Sequence, residues 1–285
     1  MECRNHQSAE KSKSRFSIKK AFVLSLVINL CFLIGTGAVA YYKRDTIVSK
    51  FEKFKFSNPS EDVLSKFNSK PLAIYQDSIS IDAERTISIM FLGNSLTRHG
   101  ITELWDHECG MAATIEDNDY VHQLVKLVSE KKNVNVKFSA CNITDFERHF
   151  ATSDFDWNTI LSQSEIIDPD YVIIQIGENM NKNDVVTYDK LLRSKYMVLL
   201  NYFSNSTRII TLPFWLAPEK NSVFTDIAIS SNSYIVDLSH LGSDSKNNYA
   251  SSERYYEHSG VGKHPGNKGM KSIAVMLFSV INNTL

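Results

Sequence analysis

The hydrophobic and polar positions between residues 86 and 282 follow two alternating patterns. Short apolar runs such as TISIMFL and YVIIQI are typical of strands buried on both faces of a parallel sheet. Segments with apolar residues three and four positions apart lie between them and predict amphipathic helices. The predicted strands are 86–92, 134–140, 171–176, 208–212 and 234–238, and the predicted helices are 120–131, 188–203 and 268–282.

This alternation predicts a three-layer α/β/α sandwich with about five parallel strands, because right-handed crossovers place helices on both faces of a sheet. The carboxyl ends of parallel strands meet at one edge, where open α/β sheets bind ligands. Polar residues follow three of the predicted strands, namely Ser95, Asn142 and Asn179. We therefore expect a functional site at this edge.

The first 42 residues have a different pattern. Residues 1–20 are polar, with six Lys or Arg against two Glu, and residues 21–42 contain no charge. Such an apolar segment is long enough to span a bilayer as a helix, and its basic flank predicts a cytoplasmic N-terminus. A cleaved signal peptide is the alternative, because AVA at 38–40 has the form of a cleavage site. Both interpretations predict that the rest of the chain is exported to the periplasm or the cell surface. The membrane-helix interpretation also predicts a single-pass membrane protein.

Composition divides the chain further and excludes some functions. Residues 43–84 are polar and predict a stalk, and residues 85–285 predict one catalytic domain. The net charge of −1 gives no indication of a nucleic-acid partner. Cys109 and Cys141 share the exported part, as two buried thiols or as a disulfide. No cysteine and histidine spacing resembles a zinc site, so we expect neither a metal nor a cofactor.

A serine and a histidine are the candidates for chemistry at the predicted edge. Ser95 directly follows a strand and a Gly-Asn turn, although a serine there also fits a helix cap. His264 lies in the glycine-rich loop GVGKHPGNKGM before the last helix. A histidine is the usual base that activates a serine nucleophile. The backbone N–H groups of Ser95 and Asn142 and the side chain of Asn179 are candidate donors to an oxyanion.

These residues carry a family resemblance. GNSLT at 93–97, IGEN at 176–179 and KHPGNKGM at 263–270 resemble three blocks of the SGNH (GDSL-type) hydrolase superfamily, in the same order. GMAA at 110–113 and DYVH at 119–122 are similar to a bacterial subgroup of that superfamily. The resemblance implies a flavodoxin-like SGNH fold, Ser95 as nucleophile and His264 as base.

The chain departs from the family pattern at three positions. Asn94 stands where many members have aspartate, and Asn142 stands where the second block has glycine. Val261 stands where the family has an aspartate three residues before the histidine. The resemblance therefore supports a Ser–His dyad whose imidazole is oriented by another group. The candidates are a backbone carbonyl or one of the carboxylates of Glu178, Asp244, Glu253 and Glu257.

The resemblance and the predicted export together favour one function. We expect a serine esterase that hydrolyses small acyl esters, O-acetyl groups on a cell-envelope or secreted glycan above all, through an acyl-serine. A glycan O-acetyltransferase with the same residues is one alternative. A catalytically inactive glycan-binding domain is another, because the aspartate is absent. Phe214 and Trp215 follow the fourth predicted strand, where they stack on a sugar or pack within the loop.

Overall fold

The computed structural model describes residues 72–285. The predicted basic tail, the predicted membrane helix and most of the predicted stalk lie outside the described residues. Within residues 72–285, no helix combines the length and the apolar character needed to cross a membrane.

One six-stranded sheet organises the described part of the chain. Its spatial order is β1-β3-β2-β4-β5-β6, in which β2 to β6 are parallel and β1 runs antiparallel to β3. The prediction of about five parallel strands is confirmed, and the sheet has one antiparallel edge strand besides. The strands are β1 (Tyr75–Ile79), β2 (Thr86–Gly93), β3 (Asn135–Asn142), β4 (Tyr171–Gln175), β5 (Thr207–Leu212) and β6 (Tyr234–Asp237).

Strand β1 lies inside the segment that the sequence predicts as a stalk. Its sequence, YQDSI, has no apolar run, and its three central residues are exposed. It pairs with β3 in register from Tyr75 opposite Ala140 to Ile79 opposite Val136. The Tyr75 ring packs against Phe138, with ring centroids 5.9 Å apart. The sheet therefore begins about ten residues before the predicted boundary at 85, on an edge strand whose pattern is mostly polar.

Ten helices of the described part connect and cover the strands. They are α1 (Tyr120–Lys132), α2 (Thr144–His149), α3 (Trp157–Leu161), α4 (Lys182–Thr187), α5 (Asp189–Asn201), α6 (Pro218–Ser230), α7 (Ser239–Ser243), α8 (Ser245–Asn248), α9 (Ser259–Gly262) and α10 (Asn267–Thr284). The three predicted helices correspond to α1, α5 and α10. Helix α6 was not predicted, although Pro218 at its first turn and buried residues at 220, 223, 224, 227 and 228 give a helical spacing.

The helices form two layers, one on each face of the sheet. Alternate residues of β2 point to opposite faces, so Phe91 and Leu92 belong to different hydrophobic clusters. The first cluster is formed with α1 and α10, and the second with α2, α3, α5 and α6. The three-layer arrangement predicted from the sequence is therefore present.

The strand order places a crevice beside the end of β2. The chain passes from β2 to β3 on one side and later enters β4 on the other side of β2. Without β1, this is the flavodoxin-like order, in which ligands bind outside the carboxyl ends of the strands where the order reverses. The segments after β2 and β4 lie on the two sides of this crevice.

Candidate active site

The turn after β2 presents Ser95 at the crevice. The carbonyl oxygen of Asn94 accepts hydrogen bonds from the backbone N–H groups of Thr97 and Arg98, both at 3.0 Å. A Cβ atom on Gly93 would lie 1.8 Å from the Thr97 hydroxyl oxygen, so this tight turn excludes any side chain at 93. No helix begins at Ser95, because α1 starts at residue 120. The helix-cap interpretation of this serine is therefore wrong.

The turn is braced by the two subgroup motifs at 110–113 and 119–122. The N–H of Met111 donates to the carbonyl of Ser95 at 2.8 Å. The buried carboxylate of Asp119 accepts from the N–H of Gly110 and from both the backbone and ring nitrogens of His122. These motifs therefore hold the backbone around Ser95, and none of their described contacts reaches the reacting atoms.

Ser95 and His264 meet as the resemblance implied. The Ser95 Oγ lies 3.0 Å from His264 Nε2, within hydrogen-bond distance. The other ring nitrogen, Nδ1, lies 2.9 Å from the carbonyl oxygen of Gly260. Because a carbonyl oxygen only accepts, Nδ1 carries the proton of the neutral ring, and Nε2 accepts from the serine hydroxyl.

Burial keeps this imidazole neutral. Desolvation lowers the pKa of His264 to about 4, against the opposing effect of its hydrogen bond to the Gly260 carbonyl. The side chain is partly exposed. A neutral imidazole with a free lone pair on Nε2 is able to accept the serine proton at neutral pH.

A backbone carbonyl, and none of the four candidate carboxylates, orients the imidazole. Asp244 accepts from the Asn247 side chain, and Glu253 accepts from the N–H groups of Asn267 and Lys268. Glu178 accepts from the Asn94 side chain at 2.6 Å and from the Phe214 N–H at 2.8 Å. Glu257 is exposed. The turn of α9 explains this: it brings the Gly260 carbonyl under Nδ1, the atom that an aspartate would otherwise contact. Among the alternatives left open by the sequence, the backbone carbonyl is the one that the structure has.

The three predicted oxyanion donors follow neighbouring strands at this edge. The Ser95 backbone N–H makes no hydrogen bond to any of residues 72–285. Asn142 ends β3 opposite Gly93, and its side chain donates to the Arg98 carbonyl at 2.6 Å. The Asn179 amide donates to the carboxylate of Glu147 at 2.7 Å.

Sequence reasoning missed two charged residues beneath this edge. Glu147, in α2, is fully buried and accepts hydrogen bonds from Asn94, Gly177 and Asn179. Lys220, in α6, is also buried, and its Nζ donates to the Gly177 carbonyl at 2.6 Å. The spacing of apolar residues in α6 puts position 220 on the buried face, and this was the available signal for the lysine.

The pKa of Glu147 is displaced by its surroundings. Burial and the neighbouring charge of Glu178 raise it to about 7, while the hydrogen bonds from Asn179, Gly177 and Asn94 act in the opposite direction. All of its described contacts are with N–H donors, which favour the ionised form.

The two aromatic residues after β5 have different surroundings. Phe214 is fully buried, so it offers no face to a sugar, and that interpretation is wrong for this residue. Trp215 is partly exposed, and its ring meets that of His264 edge to face, with centroids 5.3 Å apart. Trp215 therefore forms one wall beside the Ser–His pair.

The two cysteines and the possible metal ligands give no further candidate site in the described part of the chain. Cys109 and Cys141 are separate, buried thiols, and burial raises the pKa of each to about 12. Residues 72–285 contain no group of three or more His, Cys, Asp or Glu side chains arranged to hold a metal ion.

Comparisons with known proteins add a likeness among solved structures. No protein-family model matches the chain, and no curated protein matches its sequence. The psychrotrophic esterase EstA of Pseudoalteromonas sp. is 14% identical over 69% of this chain and 97% of its own, with a TM-score of 0.45. A family 3 carbohydrate esterase of Clostridium thermocellum is 19% identical over 70% and 97%, with a TM-score of 0.47. A two-domain esterase active on acetylated mannans is 13% identical over 70% of this chain and 50% of its own, with a TM-score of 0.47.

All three of these structures are esterases. At identities of 13–19% the likeness gives no information on the substrate of this chain.

Proposed function

We propose that the chain is a serine ester hydrolase of the SGNH type. The observation that carries this proposal is the distance of 3.0 Å between Ser95 Oγ and His264 Nε2, with Nδ1 held by the Gly260 carbonyl. The serine is therefore next to a neutral base of fixed tautomer, which is the arrangement that activates a hydroxyl for attack on an acyl carbon.

The proposed reaction has two half-reactions. In the first, His264 Nε2 takes the Ser95 proton as Oγ bonds to the ester carbonyl carbon. The proton then passes to the alcohol oxygen as its bond to the carbonyl carbon breaks, so the alcohol departs and an acyl-serine remains. Water attacks this ester with His264 again as base, releasing the carboxylic acid and restoring Ser95. The negative oxygen of each tetrahedral intermediate is stabilised by the N–H groups of Ser95 and Asn142 and by the Asn179 amide, as proposed donors.

We further propose a small acyl substrate, O-acetyl groups on a glycan, and an exported domain. The motifs and the predicted membrane helix at 21–42 support this, and Trp215 offers an aromatic wall at the site. Protease treatment of intact spheroplasts tests the location: a domain digested only after lysis contradicts export.

The Gly260 hydrogen bond also weighs against the inactive binding domain. That alternative rested on the absent aspartate, and the carbonyl supplies the orienting contact that the aspartate would make. No contact of the site favours transfer to a sugar over transfer to water.

Acetate release from 4-nitrophenyl acetate and acetylated xylan tests the proposed hydrolysis. Ser95→Ala and His264→Ala are each expected to remove most turnover, and the double variant is expected to be little slower, because the two residues act as a unit. His240→Ala, at an exposed histidine with no described contact to Ser95 or His264, is the control and is expected to retain turnover of the small ester. Undiminished activity in Ser95→Ala would refute the proposal.

A further inference from the structure

A cluster of charged and amide groups, three of them buried and two partly exposed, lies beside the candidate active site. It consists of Asn94, Glu147, Glu178, Asn179 and Lys220, and we call it the carboxylate cluster. Asn94 is wholly buried, and its Nδ2 donates both to Glu147 Oε1 at 3.2 Å and to Glu178 Oε2 at 2.6 Å. One amide therefore bridges two carboxylates, directly before Ser95 in the chain.

Glu147 makes most of its contacts with the segment after β4. Its Oε1 accepts from the N–H groups of Gly177, at 2.5 Å, and Asn179, at 3.3 Å. Its Oε2 accepts from Asn179 Nδ2 at 2.7 Å. Lys220 contacts the same segment, because its Nζ donates to the Gly177 carbonyl.

These contacts determine how the Asn179 amide is oriented. A carboxylate accepts and does not donate, so the nitrogen of the amide, and not its oxygen, faces Glu147. An amide nitrogen has two N–H groups, and only one is used by Glu147. With the orientation reversed, the amide would present its oxygen to Glu147 Oε2, and these two oxygens would repel each other.

We infer that Glu147 is a positioning residue for the oxyanion site, acting through Asn179 and the backbone at Gly177. This rests on the proposed function. Glu147 itself does not contact the reacting atoms: it holds the amide that does. Pre-oriented donors stabilise the transition state without reorganisation, so losing Glu147 is expected to lower kcat and to change KM little.

A double-mutant cycle on purified protein tests this inference. The kinetics are measured with 4-nitrophenyl acetate at pH 8, because burial and the charge of Glu178 raise the pKa of Glu147 and an alkaline pH favours its ionised form. Asn179→Ala is expected to lower kcat about 100- to 1,000-fold, the usual cost of one oxyanion donor. Glu147→Gln is expected to lower kcat about 10- to 100-fold alone and no more than about twofold when Asn179 is already alanine.

Glu178→Gln is the matched control. Glu178 belongs to the same cluster and loses the same charge, but it accepts from Asn94 and Phe214 and not from Asn179. In the double variant, the fold-reductions in kcat caused by Glu178→Gln and by Asn179→Ala are expected to multiply, because the two residues act independently. If Glu147→Gln misfolds by circular dichroism, Glu147→Asp, which keeps the charge but withdraws it by one methylene, replaces it in the cycle.

The outcomes separate this inference from the proposed function. Activity lost in Ser95→Ala but a kcat unchanged in Glu147→Gln overturns the positioning role alone. Effects of Glu147→Gln and Asn179→Ala that simply multiply overturn it as well, because they would mean that Glu147 acts elsewhere. Activity retained in Ser95→Ala overturns the proposed function itself.

Discussion

Replacing Asn94 with aspartate restores the residue found in many SGNH hydrolases, yet we expect it to damage this protein. The Asn94 amide donates to Glu147 Oε1 at 3.2 Å and to Glu178 Oε2 at 2.6 Å. Asn94 and Glu147 are fully buried, and Glu178 is partly exposed. Asn94→Asp has the same shape but places a third carboxylate oxygen against the other two. The hydrogen bond that Asn94 Oδ1 accepts from the Leu96 N–H is retained.

The magnitude follows from the two bonds that are lost. A hydrogen bond to a charged group contributes about 1.5–3 kcal/mol, so losing both costs about 3–6 kcal/mol when all three carboxyl groups are ionised. Protonation of one of them restores one donor and roughly halves the loss. The like charges raise the pKa of the new carboxyl in the folded state. Because the new carboxyl group binds its proton more tightly in the folded state, protonation favours folding. This contribution to stability is complete below the pKa of aspartate in the unfolded chain, about 3.9, and is lost as the pH rises through the folded pKa.

Urea unfolding at pH 5 and pH 9 measures the loss of stability in Asn94→Asp and its dependence on pH. The free energy of unfolding of Asn94→Asp, relative to wild type, is expected to be about 3–6 kcal/mol lower at pH 9 and to recover about half of that at pH 5. Asn247→Asp is the control, because the Asn247 amide donates to the Asp244 carboxylate at 2.7 Å on the exposed surface. Water screens that pair, so its loss is expected to stay within about 0.5 kcal/mol at both pH values. Equal stability of Asn94→Asp and wild type at pH 9 would refute the bridging role of Asn94.

Three further predictions concern other parts of the site. Gly177 has a φ of +123°, and an added Cβ would lie 2.6 Å from the Phe224 ring, so Gly177→Ala is expected to lower the free energy of unfolding by about 1–3 kcal/mol in urea titrations. Because burial lowers the pKa of His264 to about 4, NMR titration of its ring protons is expected to show it neutral at about pH 5.5, and a midpoint above that pH contradicts this. Asp119→Ala removes the cap of α1 and the acceptor for His122, at a cost of about 2–3 kcal/mol, and a loss below about 0.5 kcal/mol contradicts that bracing role.

The fold was largely readable from the sequence, because buried parallel strands and amphipathic helices leave strong local patterns. The run TISIMFL predicted β2 to within one residue, and helix α1 ends one residue beyond its predicted limit. Strand β1 left no such pattern, because an edge strand with three exposed central residues needs few apolar side chains. Its place depends on pairing with β3, about sixty residues later, and no local window contains that information.

The pair of Ser95 and His264 was predicted because its neighbours are unusual locally. Ser95 follows a Gly-Asn turn at the end of an apolar run, and His264 lies between glycines and a proline. Chain order and the rule that parallel strands end at one edge then bring the two together. Their contact of 3.0 Å is the outcome of that topology.

The sequence by itself determined the layers, the edge that carries the site and the two residues that meet there, since each depends on periodicity or on a short motif. Tertiary structure alone decided which groups orient and support them. The Gly260 carbonyl has no side-chain signature, and Glu147 and Lys220 are ordinary charged residues until α2 and α6 bury them. Hydrogen bonds between residues far apart in the chain, such as those of Asn94 to Glu147 and Glu178, 53 and 84 positions away, become possible only when the sheet brings the strand ends together.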